Sequence, residues 1–181
     1  EIPKFLWQLI LRLVILNIRP RRSAKNYKKI WTDEGSPLLV YSKKIVSAVE
    51  QNLKSEFGNT VFILGMRYGN PSLEHALKEM QKQKVRRLLV FPLYPQYCAT
   101  TTASTFDKIT NILQKWRWIP EIRFINNYFE EDLYIKAVSD SIKDKWNELG
   151  KPQKTVFSYH GIPLSYLMKG DPYYCYCLKT T

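Results

Sequence analysis

Apolar residues recur along the chain with two different periods. At positions 2, 5, 6, 9, 10, 13 and 16 they follow helical spacing, while Lys4, Gln8 and Arg12 recur every four residues as a narrow polar stripe. This predicts a helix over Ile2–Ile18 with a wide apolar face. Arg12 in its middle argues against a membrane span, which needs about 20 nearly uninterrupted apolar residues. Two readings stay open: a helix packed between other elements, or an interfacial helix lying in a bilayer surface. Ser36-Pro37 is a good helix opening, with serine as cap and proline at the first helical position, and Leu38, Ile45, Val46, Val49, Leu53 and Phe57 continue on one face.

From there strands and helices alternate. Val61 to Leu64 is a short apolar run ending at Gly65, followed by a helix from about Leu73 to Lys82 with Ser72 as its cap. Leu88 to Leu93 predicts a second strand, and Phe106, Ile109, Leu113 and Trp116 mark a helix. A strand around Ile122 to Ile125, a helix over Leu133 to Leu149 and a last strand over Thr155 to Tyr159 complete the series. Strict alternation implies βαβ units and a parallel sheet with helices on both faces, hence an α/β fold. Gly150-Lys151-Pro152 reads as a linker where a second domain begins.

Length and charge narrow the function classes. A chain of 181 residues hides roughly two thirds of its unfolded surface, enough for one domain and the opening of another. The net charge of +12, from 28 Lys and Arg against 16 Asp and Glu, favours an anionic partner. Basic residues gather at Arg19, Arg21, Arg22, Lys25, Lys28 and Lys29, and no nucleic-acid-binding pattern accompanies them, so nucleic acid is not expected. Cys98, Cys175 and Cys177 make neither an even disulfide framework nor a C-x-x-C pair, which sets the cytoplasm as the default compartment. The chain starts at Glu1 within the first helix and stops at Thr181, and it reads as an excerpt of a longer protein.

In parallel α/β sheets, ligands sit beyond the carboxyl ends of the strands. The loops there are Met66-Arg67-Tyr68-Gly69-Asn70-Pro71, Tyr94 through Ser104, and His160-Gly161-Ile162-Pro163. Thr100, Thr101, Thr102, Ser104 and Thr105 directly precede a helix, where hydroxyls cap and the helix dipole favours anionic groups. Tyr94-Pro95-Gln96-Tyr97 adds two aromatic rings and an amide at the same sheet edge. His160 follows the last strand, beside a glycine that permits close backbone approach; a neutral imidazole there suits a borderline metal ion such as ferrous iron, or accepts a proton near neutral pH. His75, among Glu74 and Lys78, reads as a surface residue.

Leu93-Tyr94-Pro95-Gln96-Tyr97 with its hydroxyl run, Phe157 through Pro163, and Gly170-Asp171-Pro172-Tyr173 together resemble the ferrochelatases, enzymes that insert ferrous iron into a porphyrin in haem biosynthesis. Arg67 through Pro71, Tyr27 through Trp31 and Gly35 through Leu38 also resemble segments of that family, especially its Gram-negative members. The resemblance implies two Rossmann-like domains with parallel four-stranded sheets flanked by helices. Residues 1–150 form the first domain without its opening strand, and residues 151–181 begin the second. It implies His160 as catalytic residue and metal ligand, acting on iron or on the pyrrole protons. Arg22, Tyr27 and Ser36 are implied at the porphyrin edge, with Arg67, Tyr68, Gln96, Tyr97 and Thr101 bordering the same cleft.

The implied partners are porphyrin and ferrous iron as substrates, with peripheral membrane association on the inner face of the cytoplasmic membrane. No permanently bound cofactor and no iron-sulfur cluster are expected, since Cys98 stands one residue before the family's cluster position at Ala99. The family usually has serine where Cys98 stands and glycine where Ala103 stands. The expected opposing glutamate lies beyond Thr181, so activity is expected of the full protein rather than of this excerpt. A tetrapyrrole carrier or a cobalt chelatase of the same fold are the alternatives.

Overall fold

Two of the four apolar runs find each other. In the computed structural model, which describes residues 5, 8 and 10–181, Arg87–Val90 (β1) pairs in parallel with Glu121–Phe124 (β2), in the register Leu88 opposite Ile122 and Val90 opposite Phe124. The ladder continues one step through the Ile125 N–H, which donates to the Val90 carbonyl at 3.0 Å. The connection between the strands carries a helix, as parallel pairing requires.

The described chain forms two compact units, Glu1–Leu64 and Gly65–Thr181. The first holds α1 (Leu16–Lys28), preceded by a π-helical turn over Leu11–Ile15, and α2 (Pro37–Leu53). The helix expected over Ile2–Ile18 falls partly outside the described residues. Pro37 stands at the start of α2 as expected, but Ser36 caps through its backbone: its carbonyl accepts the Val40 N–H at 3.0 Å, and its hydroxyl makes no capping bond. A bridge between Thr32 and Gly35, with Gly35 at φ +111°, turns the chain into α2.

In the second unit follow α3 (Leu73–Lys82), α4 (Ser104–Leu113), α5 (Asp132–Leu149), α6 (Leu164–Met168) and α7 (Tyr173–Thr180). The expected Ser72 cap is present, with the His75 N–H donating to Ser72 Oγ at 3.1 Å. The core sits where α3, β1 and α4 meet: Leu73 and Leu77, Leu88, and Ile109, Ile112 and Leu113, with Met80, Val90, Trp116 and Phe124 packed against it.

The expected four-stranded sheet is two-stranded among the described residues. Val61–Leu64 and Thr155–Tyr159 form no ladder, and Val156 is 86% exposed. A strand exists only through hydrogen bonds to a neighbour; an apolar run states the capacity to pair and not the pairing.

Gly65 is held by packing. A Cβ there would lie 2.9 Å from Leu73 Cδ2 and 3.3 Å from Leu73 Cα, with the Ala76 methyl at 3.2 Å. Backbone and a short methyl cannot swing aside, so Gly65→Ala is expected to destabilise by about 1–3 kcal/mol. Urea unfolding read by tryptophan fluorescence measures this, and an unchanged midpoint would refute the packing account.

Candidate functional site

After β1 the chain runs without regular structure through Pro92 and Pro95, each of which disfavours helical dihedrals in the residue before it, and then enters a π-helical turn over Ala99–Ala103 that leads without a break into α4. The hydroxyls of this segment are taken up locally in three cases. Thr101 Oγ1 donates to the Cys98 carbonyl at 3.3 Å, Thr105 Oγ1 donates to the Thr101 carbonyl at 3.0 Å, and Thr100 Oγ1 lies 3.1 Å from Cys98 Sγ. Thr102 is fully buried, and its hydroxyl has no partner among the described residues.

At this helix start, where the dipole favours an acidic group, the chain places one of its own. Asp171 Oδ2 accepts the Ala99 N–H at 2.8 Å, so a buried carboxylate already occupies the positive end of the helix. Gln96 faces inward from the same loop, 9% exposed, and its amide nitrogen donates to Thr180 Oγ1 at 3.0 Å. Tyr97 is half-buried beside it. The loop after β2 joins this wall through the Tyr128 N–H, which donates to the Pro95 carbonyl at 3.0 Å.

The Met66–Pro71 loop closes on itself, with the Met66 N–H donating to the Pro71 carbonyl at 2.7 Å and the Leu73 N–H returning to the Met66 carbonyl at 3.2 Å. From this loop Arg67 reaches the start of α4, where its Nε donates to the Ser104 carbonyl at 2.8 Å and to Ser104 Oγ at 2.9 Å. Its guanidinium lies 4.5 Å from the centre of the Tyr68 ring, a cation-π contact, while Tyr68 stays 72% exposed. The structure thus brings Arg67, Tyr68 and the hydroxyl-rich turn together.

His160 is exposed, in a stretch with no ladder partner. Its Nδ1 is 2.8 Å from the Gly161 carbonyl oxygen. A carbonyl only accepts, so in the neutral ring the proton sits on Nδ1 and the Nε2 lone pair is left for an incoming proton or metal ion. Tyr159, its neighbour, shares a 3.0 Å hydrogen bond between its phenol and Thr181 Oγ1. Burial first, then a hydrogen bond to the Cys177 side chain, push the Tyr173 phenol up to about 12; a hydrogen bond with the His160 backbone pulls the other way. Tyr173 is therefore a neutral phenol at physiological pH. Burial likewise raises the Cys177 thiol.

Sequence reasoning assigned no role to Asp171, Thr180 or α7. The available signal was Gly170-Asp171-Pro172, an aspartate just ahead of a proline at a helix start. His75 is exposed on α3, as expected.

Arg22, Tyr27 and Ser36 belong to the first unit. Arg22 is exposed on α1, Ser36 is half-buried ahead of α2, and Tyr27 lines a shallow groove of about 430 Å³ with Ala24, Lys28 and Trp31. Among the described residues no group of three or more His, Cys, Asp or Glu could hold a metal ion, and no helix is long and apolar enough to cross a membrane.

The family model described as Ferrochelatase matches residues 1–181. A ferrochelatase of Marinobacter nauticus is 50% identical over 182 residues, covering 100% of this chain and 49% of its own. One from Idiomarina loihiensis is also 50% identical, over 100% of this chain and 50% of its own. A third, from Hydrogenovibrio crunogenus, is 51% identical over 98% of this chain and 48% of its own. The chain spans about half the length of the curated relatives it matches.

Proposed function

The chain belongs to the ferrochelatase family, and on that premise we propose that the full protein inserts ferrous iron into protoporphyrin IX, releasing two protons and forming protohaem in haem biosynthesis. The observation that carries the reading is the exposed His160 imidazole, whose Nδ1 is committed to the Gly161 carbonyl and whose Nε2 is open.

A porphyrin holds four in-plane nitrogens, two of them protonated, so a metal enters only when the ring is bent and both protons leave. Rigid aromatic walls that fit the bent ring better than the flat one lower the barrier by differential binding. His160 Nε2 takes a pyrrole proton or meets the entering ferrous ion. Arg67, with its Nε fixed on Ser104, turns its remaining N–H donors to an anionic edge of the substrate. Tyr68 and Tyr97 contribute aromatic surface, and Gln96 and Thr101 support that wall from behind. Arg22, Tyr27 and Ser36 meet the substrate's propionates and edge.

The proposal includes the division of the chain at residue 150, where α5 ends on Gly150 at φ +89°, with 1–150 as the first Rossmann-like domain and 151–181 as the start of the second. It includes no resident cofactor, no iron-sulfur cluster and no nucleic acid; iron is a substrate. It places the protein in the cytoplasm and at the inner face of the cytoplasmic membrane. Supporting this are the exposed Arg22, Lys25, Lys28 and Lys29 beside the exposed rings of Tyr27 and Trp31, a basic and aromatic mixture suited to anionic lipid headgroups. Full-length protein is expected to sediment with anionic vesicles at low salt and to be released by high salt. Protein that stays in the supernatant beside them would count against the membrane part.

The test of the activity is ferrous or zinc insertion into protoporphyrin by the full-length protein, followed as loss of free-porphyrin fluorescence. Insertion no faster than without protein would overturn the reading, and tight porphyrin binding without insertion would identify a carrier.

A further inference from the structure

Asp171 is a buried carboxylate, 8% exposed, that the proposed chemistry does not use. It bonds in two directions. Oδ2 accepts the Ala99 N–H at 2.8 Å and lies 3.4 Å from Cys98 Sγ, at the turn that opens α4. Oδ1 accepts the Tyr173 N–H at 3.0 Å, at the start of α7. One anion thus satisfies orphan N–H groups of two helix starts, and both dipoles favour it there.

The link continues along α7. Thr180 accepts from Gln96 and donates to the Phe129 carbonyl at 3.0 Å, and the Tyr176 ring stacks on Phe129 with centroids 3.8 Å apart. Beyond the helix, Thr181 holds the Tyr159 phenol at 3.0 Å, one residue before His160. Among the described residues the His160 stretch has no ladder partner, and it is reached from the end of α7 through Thr181 and Tyr159.

We infer that Asp171 is a positioning residue for His160: it pins the start of α7 to the Ala99 turn, and the far end of α7, through Thr181 and Tyr159, in turn holds the segment that carries the imidazole. The inference rests on the metal-insertion reading only for its consequence in catalysis; the positioning itself has a separate readout.

The experiment uses full-length protein with isotope-labelled histidine, in wild type and in the variants Asp171→Asn and Tyr159→Phe. Resonances are assigned through His160→Gln and His75→Gln. Asparagine keeps the size of the side chain but turns an NH₂ toward one of two N–H groups. Tyr159→Phe removes only the phenol that Thr181 holds and leaves the Asp171 end intact. His75, on α3 and outside the clasp, is the internal reference.

In both variants the His160 ring resonances are expected to shift or broaden while those of His75 stay in place. In Asp171→Asn, kcat for zinc insertion is expected to fall by roughly 10-fold or more, with little change in KM for porphyrin, as a displacement near 1 Å would cause. Unchanged His160 resonances in either variant would overturn the inference, and so would equal movement of both histidines, which marks general loosening. If Asp171→Asn does not fold, Asp171→Glu, which keeps the carboxylate but displaces it by one methylene, takes its place with the same expected and overturning outcomes. If the wild type inserts no metal, the activity reading fails while the resonances still answer the positioning question.

Discussion

Replacing His160 with alanine is expected to lower kcat for metal insertion by the full-length protein roughly 10²- to 10⁴-fold, the range over which a positioned acid or base contributes. The ring is exposed and its Nδ1 bonds to the adjacent Gly161 carbonyl, so its loss removes little packing. Stability should stay within about 0.5 kcal/mol of wild type, as for surface positions away from caps and cores. The pairing of the two measurements is what makes the prediction sharp: a large kinetic effect with an unmoved unfolding curve marks a chemical role. His160→Gln, which restores a polar side chain but no lone pair with imidazole basicity, should be nearly as slow as the alanine variant. Equal insertion rates in wild type and His160→Ala would remove this residue from the chemistry.

Leu113→Ala is expected to be the largest single loss of stability among the core positions. Leu113 is 2% exposed at the end of α4 and packs with Leu73 and Leu77 of α3, Leu88 of β1, and Ile109 and Ile112 of its own helix. Truncation removes the transfer energy of the lost carbons and leaves a cavity that neighbours from three elements cannot collapse into, for a cost of about 2–5 kcal/mol. Leu89, on the opposite side of β1 and 59% exposed, is the control: Leu89→Ala should cost well under half as much. Urea unfolding of both variants in the full-length protein provides the comparison. Similar costs at the two positions would mean that the α3, β1 and α4 cluster is not where the unit gains its stability.

Some elements were legible because their causes are local. The helix over Leu73–Lys82 forms between the bounds read from its periodicity, since Ser72 supplies the cap and the apolar residues share one face. The helix expected over Leu133 to Leu149 is α5, Asp132–Leu149. Two of the strand expectations became the ladder: Ile122–Ile125 is displaced by one residue to Glu121–Phe124, and Leu88–Leu93 is realised as the shorter Arg87–Val90, starting one residue earlier and ending three earlier. The runs at Val61–Leu64 and Thr155–Tyr159 look the same in sequence and form no ladder among the described residues, because pairing depends on what lies alongside and not on the run itself.

The Thr100 to Thr105 segment shows the same limit at the candidate site. Its hydroxyls and its helix start were both readable, and the dipole there favours an acidic group, but nothing nearby said which one. The filling group, Asp171, comes from 72 residues further on, and the inward turn of Gln96 is fixed by Thr180, 84 residues away. Neither distance leaves a periodic or spacing signal.

The order of residues by itself determined the α/β alternation, the helix bounds set by Ser72 and Pro37, the basic character of α1 and the ferrochelatase motifs around Tyr97 and His160. The tertiary structure alone decided which apolar runs pair, that a buried aspartate fills the helix start after β1, and that His160 keeps its proton on Nδ1. The division is physical: backbone propensity and side-chain periodicity act within a few turns of chain, whereas ladder bonds, buried carboxylate contacts and tautomers depend on which atoms folding brings within about 3 Å of one another.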